Sequence, residues 1–130
     1  MQNTVEYWLN LCDEDISVAK ILLDNHKYLQ SGFFCHAVVE KSLKAVIANI
    51  TTEVPSKIHK LKRLALIGDI FDILSEHQLS LLDELDPLQS EARYPEYIED
   101  TVLNLNYAYC LNILKETEEF LCWIKTKLGR

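Results

Sequence analysis

The stretch KIHKLKR, from Lys57 to Arg63, gathers Lys57, Lys60, Lys62 and Arg63 around His59 in a chain whose formal charge is -7. On a helix Lys57, Lys60 and Arg63 fall at i, i+3 and i+6, with Lys62 and His59 beside them, so one helix start presents several cations together. Helix N-terminal amides add to the attraction for anions. The chemistry this suits is recognition of phosphate on a nucleotide or RNA. The alternative is a solvated charged turn in which Leu61 and Leu64 point inward and His59 satisfies a nearby carbonyl. A second candidate lies at SEARYPEY, where Arg93 and Tyr94 offer a planar cation and an aromatic face, a pairing that clamps a phosphate and stacks a base. Tyr97 extends the same surface. Here the alternative is an arginine that ties a loop to Glu91, Glu96 or Glu99.

Other chemistries find no apparatus in the sequence. His26, His36, His59 and His77 show no HxxxH or HExxH spacing, and Cys12, Cys35, Cys110 and Cys122 form no zinc pattern with them, so no metal site is expected. With glycine only at 32, 68 and 129 there is no P-loop, GxGxxG or GxSxG, and no cofactor is expected. Asp13, Glu14 and Asp15 read as a solvated face and not as a paired acid and base.

The elements that must hold these residues are helical. Apolar residues recur at three- and four-residue steps from Val5 to Leu23, with Thr4 as N-cap. A polar connector, Asn25 to Tyr28, leads to a central helix that begins between Leu29 and Phe33 and runs to Asn49. Its apolar face is broad enough to pack on several neighbours at once, and Glu40 and Lys44 form a favourable i,i+4 pair. Pro55 breaks the pattern, and a shorter helix is expected over about Ile58 to Leu74, interrupted near Gly68. Ser75 and Gln78 form a capping box for a helix through Leu79, Leu82 and Leu85, with a boundary near Pro87. Asp100 or Thr101 caps a last and longest helix through Val102, Cys110 and Phe120 to Leu128. No strand pattern or repeat is evident. The expected fold is all-α, an up-and-down bundle of four to five helices in two long antiparallel pairs with short helices between, forming one domain over 1–130.

Composition bounds the function. At 130 residues the chain can bury a core without staples, and its acidity repels polyanions at long range unless a local basic patch intervenes. The cysteines are expected to be free and buried in a reducing cytoplasm, and neither a secretory signal nor a membrane span is evident.

The helix AVVEKSLKAVIA, a loop ending in K-x-H-x-L at Lys57 to Leu61, and EARYP at Glu91 to Pro95 occur in this order. In these stretches the chain resembles the HEPN domain family of prokaryotes (higher eukaryotes and prokaryotes nucleotide-binding), over roughly Val5 to Lys127. The resemblance implies a bundle of four or five helices, frequently a homodimer, often encoded beside a minimal nucleotidyltransferase, with nucleotide or RNA binding as the theme. By position it assigns Glu40, Lys41 and Lys44 to the EK-x-LK segment, His59 to the loop histidine, and Arg93, Tyr94 and Pro95 to the RYP segment. Many members are metal-independent ribonucleases marked by an arginine followed four to six residues later by a histidine. Here Arg63 meets no histidine until His77, and none follows Arg93. The expectation is therefore a cytoplasmic binding module, more a non-enzyme than an enzyme, acting with a nucleotidyltransferase in a setting of toxin–antitoxin type. A ribonuclease using His59 and Arg93 is the first alternative, and a purely structural docking subunit is the second.

Overall fold

The structure, a computed structural model, describes residues 4–91 and 105–130. Helix α1 spans Val5–Asp24, and Thr4 caps it as expected, its side chain accepting from the Tyr7 amide at 3.1 Å. The chain turns at His26, whose φ of 60° is the left-handed geometry that reverses direction in few residues. Helix α2, Tyr28–Ala48, therefore starts earlier than the polar connector suggested, and Tyr28 hydroxyl and His26 Nδ1, 2.9 Å apart, hold its first turn. Contacts of Ser31 with Ala19 and of Val38 with Cys12 run in opposite senses along the two helices, so α1 and α2 are antiparallel.

The helix expected over Ile58 to Leu74 is much shorter. Helix α3 spans Leu61–Ile67 and is followed by a single 3-10 turn at Phe71–Ile73. Two features cut it down. Lys60 has extended backbone, and Gly68 ends the helix where a Cβ would lie 3.1 Å from Val46, after which Asp69 takes a φ of 60°. Helix α4, Glu76–Glu91, opens on the expected capping box: the Gln78 amide donates to Ser75 Oγ at 3.0 Å, and the Ser75 amide donates to Gln78 Oε1 at 2.9 Å. The boundary expected at Pro87 is absent, since the helix runs through it. Leu81, Leu82, Leu85 and Leu88 are all buried, so packing on both sides of the proline holds a turn that propensity alone would break.

Helix α5, Tyr107–Lys127, is capped by Asn106, whose side chain accepts from the Tyr109 amide at 2.8 Å. Asn106 is extended, so no helix runs continuously from Thr101, and the caps expected at Asp100 and Thr101 lie outside the described residues. At 21 residues α5 shares with α2 the greatest length among the described helices. Lys20 with Glu118, Asp13 with Lys125 and Glu6 with Arg130 set α5 antiparallel to α1. His77 with Glu116 and Glu84 with Tyr109 set it antiparallel to α4. The result is an up-and-down bundle of α1, α2, α4 and α5 in which α2 touches every other α-helix.

Among the described residues there are five α-helices and no strand, and none is long and apolar enough to cross a membrane. The core includes Leu23, Leu43, Ile47, Leu61, Leu64 and Phe120, each worth about 1.5–3 kcal/mol on burial as an upper estimate. Cys12, Cys35 and Cys110 are buried and free as expected, whereas Cys122 is exposed.

Candidate functional site

Helix periodicity lines up His36, Glu40 and Lys44 on one face of α2, and three other elements close over them. Lys44 donates to Glu40 Oε2 at 2.9 Å, forming the expected pair, but only 4 % of Lys44 is exposed. Its ammonium also lies 5.4 Å from the ring centre of Trp8 on α1. His59, from the loop before α3, places Nδ1 2.9 Å from the same Glu40 oxygen, while His36 Nδ1 is 3.6 Å from Oε1. An ionised carboxylate only accepts, so His59 carries its proton on Nδ1 and, when neutral, has a lone pair on Nε2. Carboxylate and imidazole thus stand as an oriented acid–base pair.

Asp86 of α4 closes the other side. Its Oδ1 lies 3.2 Å from Nε2 of the fully buried His36 and 3.3 Å from the Leu61 amide. One carboxylate therefore ties α2, α4 and the start of α3 together. Because Asp86 already takes the first amide of α3, this short helix offers less to an anion than its basic neighbours suggested.

The network opens on two adjoining clefts of about 150 Å³ and about 120 Å³, both lined by His36, His59 and Gln89. Phe33 and Phe34, edge to face at 5.5 Å, line the first with Glu40 and Lys41, and Lys60 and Asp86 line the second. Of the residues singled out from sequence, His59, Lys60, Glu40 and Lys41 thus meet here. Lys41 is spent on Asp15 at 2.6 Å, and Lys44 is enclosed, so both can reach a ligand only through what they hold in place. Lys57 and Arg63 are exposed but line neither cleft. The i, i+3, i+6 spacing does not bring them together, because residues 57–60 precede the helix. Lys62 pairs with Asp83 at 2.8 Å. Arg93, Tyr94, Pro95 and Tyr97 lie outside the described residues.

His36, Asp86, Gln89 and the phenylalanine pair were not singled out from sequence. His36 and Glu40 are four apart on α2, a spacing that does reveal the pair. Nothing near Asp86 announces a partner 50 positions away. Among the described residues no group of three or more His, Cys, Asp or Glu is arranged to hold a metal ion.

Comparison with protein-family models matches residues 5–127 to the HEPN domain. The chain belongs to the HEPN domain family. Neither the curated proteins nor the solved structures compared with it gave a match. Membership accounts for the all-helical bundle and gives this HEPN domain a nucleotide- or RNA-related function.

Proposed function

We propose that this HEPN domain binds a nucleotide or a short segment of RNA at the His59 cleft and acts beside a minimal nucleotidyltransferase as one half of a toxin–antitoxin pair. The observation that supports the binding reading is His59 itself, fixed at Nδ1 by Glu40 with Nε2 left over, next to an exposed Lys60 that makes no ion pair among the described residues. Asp86 and Glu40 on the cleft floor repel phosphate, so the phosphate sits at the mouth on Lys60 and His59 while the base enters toward Phe33 and Phe34. Arg93 and Tyr94 are assigned to the same ligand. Lys57 and Arg63 steer it, and Glu40, Lys41 and Lys44 keep the histidine and its helix in register.

A thermal-shift titration with adenine and guanine nucleotides tests this. A ligand bound only by the folded state stabilises by about 2.7 kcal/mol at roughly 100 times its Kd. Saturable stabilisation is expected for the wild type and is expected to fall in Lys60→Ala, His59→Ala and Arg93→Ala. No shift with any nucleotide or short RNA would overturn the reading. The Glu40–His59 pair favours a second reading, metal-independent RNA cleavage with His59 as the base. It predicts cleavage of single-stranded RNA in the presence of chelator, lost in His59→Ala. The nucleotidyltransferase partner and the homodimer are tested by co-expression with the neighbouring gene product and by sedimentation of the protein alone.

A further inference from the structure

A further cleft lies away from His59. About 350 Å³ in volume, it sits between the 3-10 turn, the start of α4 and the C-terminal half of α5, and shares no lining residue with the His59 clefts. We propose that it is a second binding site, for an organic cation: an alkylammonium or guanidinium head carried on a short apolar body.

Three observations fix the charge and shape of the ligand. The floor and walls are apolar, with Phe120 and Leu81 almost wholly buried and Trp123 and Ile73 beside them; Ile73 remains 55 % exposed. Glu116 and Glu119 stand three apart on α5 and both line the cleft. Glu119 is exposed and has no partner among the described residues, whereas Glu116 accepts from Asn112 at 3.0 Å and lies 3.4 Å from His77 Nε2. The start of α4 also borders the cleft, and a helix N-terminus ordinarily favours anions. Here it is closed by the reciprocal bonds of Ser75 and Gln78 and carries Glu76 in its first turn, so the field in the cleft is set by the carboxylates.

The indole of Trp123 supplies the third observation. The ammonium of Lys127 lies 5.5 Å from its ring centre, so the chain's own lysine already makes the contact that a cationic ligand would make. Lys127 therefore competes for the Trp123 ring, and its removal leaves that ring to a second cation. Ammonium between Glu116 and Glu119 with methylenes along Phe120, Trp123 and Ile73 satisfies both the polar and the apolar walls. That chemistry belongs equally to a free diamine and to a lysine side chain of a protein partner.

The two tryptophans, Trp8 and Trp123, give two indole N–H resonances in a nitrogen-15 spectrum of the whole chain, and Trp123→Phe assigns them. The probes are putrescine and Nα-acetyl-lysine methylamide, with n-butanol as the neutral control and sodium chloride matched for ionic strength. The Trp123 resonance is expected to move saturably with at least one amine and with neither control. Glu116→Gln with Glu119→Gln is expected to weaken binding by about tenfold or more, and Lys127→Met to tighten it. Response to the diamine alone assigns a free amine, and response to the blocked lysine assigns a partner's side chain. An unmoved resonance, an equal response to butanol, or an unchanged affinity in the double variant would overturn the proposal. Lys60→Ala is expected to leave it unaffected, which separates its failure from that of the His59 cleft.

Discussion

Glu40 is the residue on which the polar interior of this HEPN domain turns, because Lys44 and His59 both bond one of its oxygens. A buried ion pair adds little net stability when intact, yet breaking it strands a charge away from water. Glu40→Gln leaves the enclosed Lys44 ammonium without a counter-ion and is expected to lower unfolding stability by about 3–5 kcal/mol, measured by urea denaturation. The double variant Glu40→Leu with Lys44→Met removes both charges and is expected to recover most of that loss. Ligand binding should stay lost, since His59 is then no longer held. Equal instability in the single and double variants would place the cost in packing instead. The cysteines give a second prediction at this scale. Burial pushes the thiols of Cys12 and Cys35 up to about 12, and burial raises that of Cys110 as well. A raised value means less thiolate, so near pH 8 all three are protonated as well as shielded, while Cys122 is exposed. A disulfide-exchange reagent is expected to titrate one thiol quickly in the native protein and the other three only on unfolding. Rapid reaction of two or more would contradict that burial.

Helix α4 shows how an element can override its own sequence. Pro87 supplies no amide and its ring crowds the carbonyl one turn earlier, yet Leu85 and Leu88 are anchored on either side and Pro87 itself is exposed. Pro87→Ala is accordingly expected to raise stability by about 1–3 kcal/mol, read as a higher thermal midpoint. A lowered midpoint would mean that the proline sets a bend on which Asp86 depends, and the thermal assay of ligand binding would then weaken too. The same helix marks the limit of what the sequence discloses. Local rules found the Ser75–Gln78 capping box, the Thr4 cap and the broad face of α2, because these depend on residues a few positions apart. The K-x-H-x-L and EK-x-LK stretches led to Glu40 and His59 through resemblance, and the structure brings those two into contact. What stayed hidden is long-range. That Lys44 is enclosed under Trp8, that Asp86 reaches both His36 and the Leu61 amide, and that Lys60 is extended so that α3 starts after the basic cluster all depend on how separate helices meet.

At the scale of the whole molecule, an acidic protein with a formal charge of -7 and a pI near 5.0 must bind a polyanion against its own field. Most described cations are committed elsewhere: Lys20, Lys41, Lys44, Lys62, Lys125 and Arg130 pair with carboxylates, and Lys127 lies over Trp123. At the start of α3 Lys57, Lys60 and Arg63 remain, with no ion pair among the described residues. Each phosphate neutralised on a single strand contributes about -0.7 to the slope of log K against log salt. Contact through two or three of these cations therefore gives a slope of roughly -1.5 to -2, far shallower than that of a protein that coats the backbone. Fluorescence anisotropy with a short single-stranded RNA across a salt series measures it, and Lys60→Ala is expected to flatten the slope by about 0.7. A slope steeper than about -3 would require more phosphate contacts than this surface offers, and would move the RNA off the His59 cleft onto a surface that this chain completes only with a second copy or a partner. A slope near zero with measurable affinity would mean that the base and not the phosphate is read, leaving Phe33, Phe34 and Gln89 as the residues to vary next.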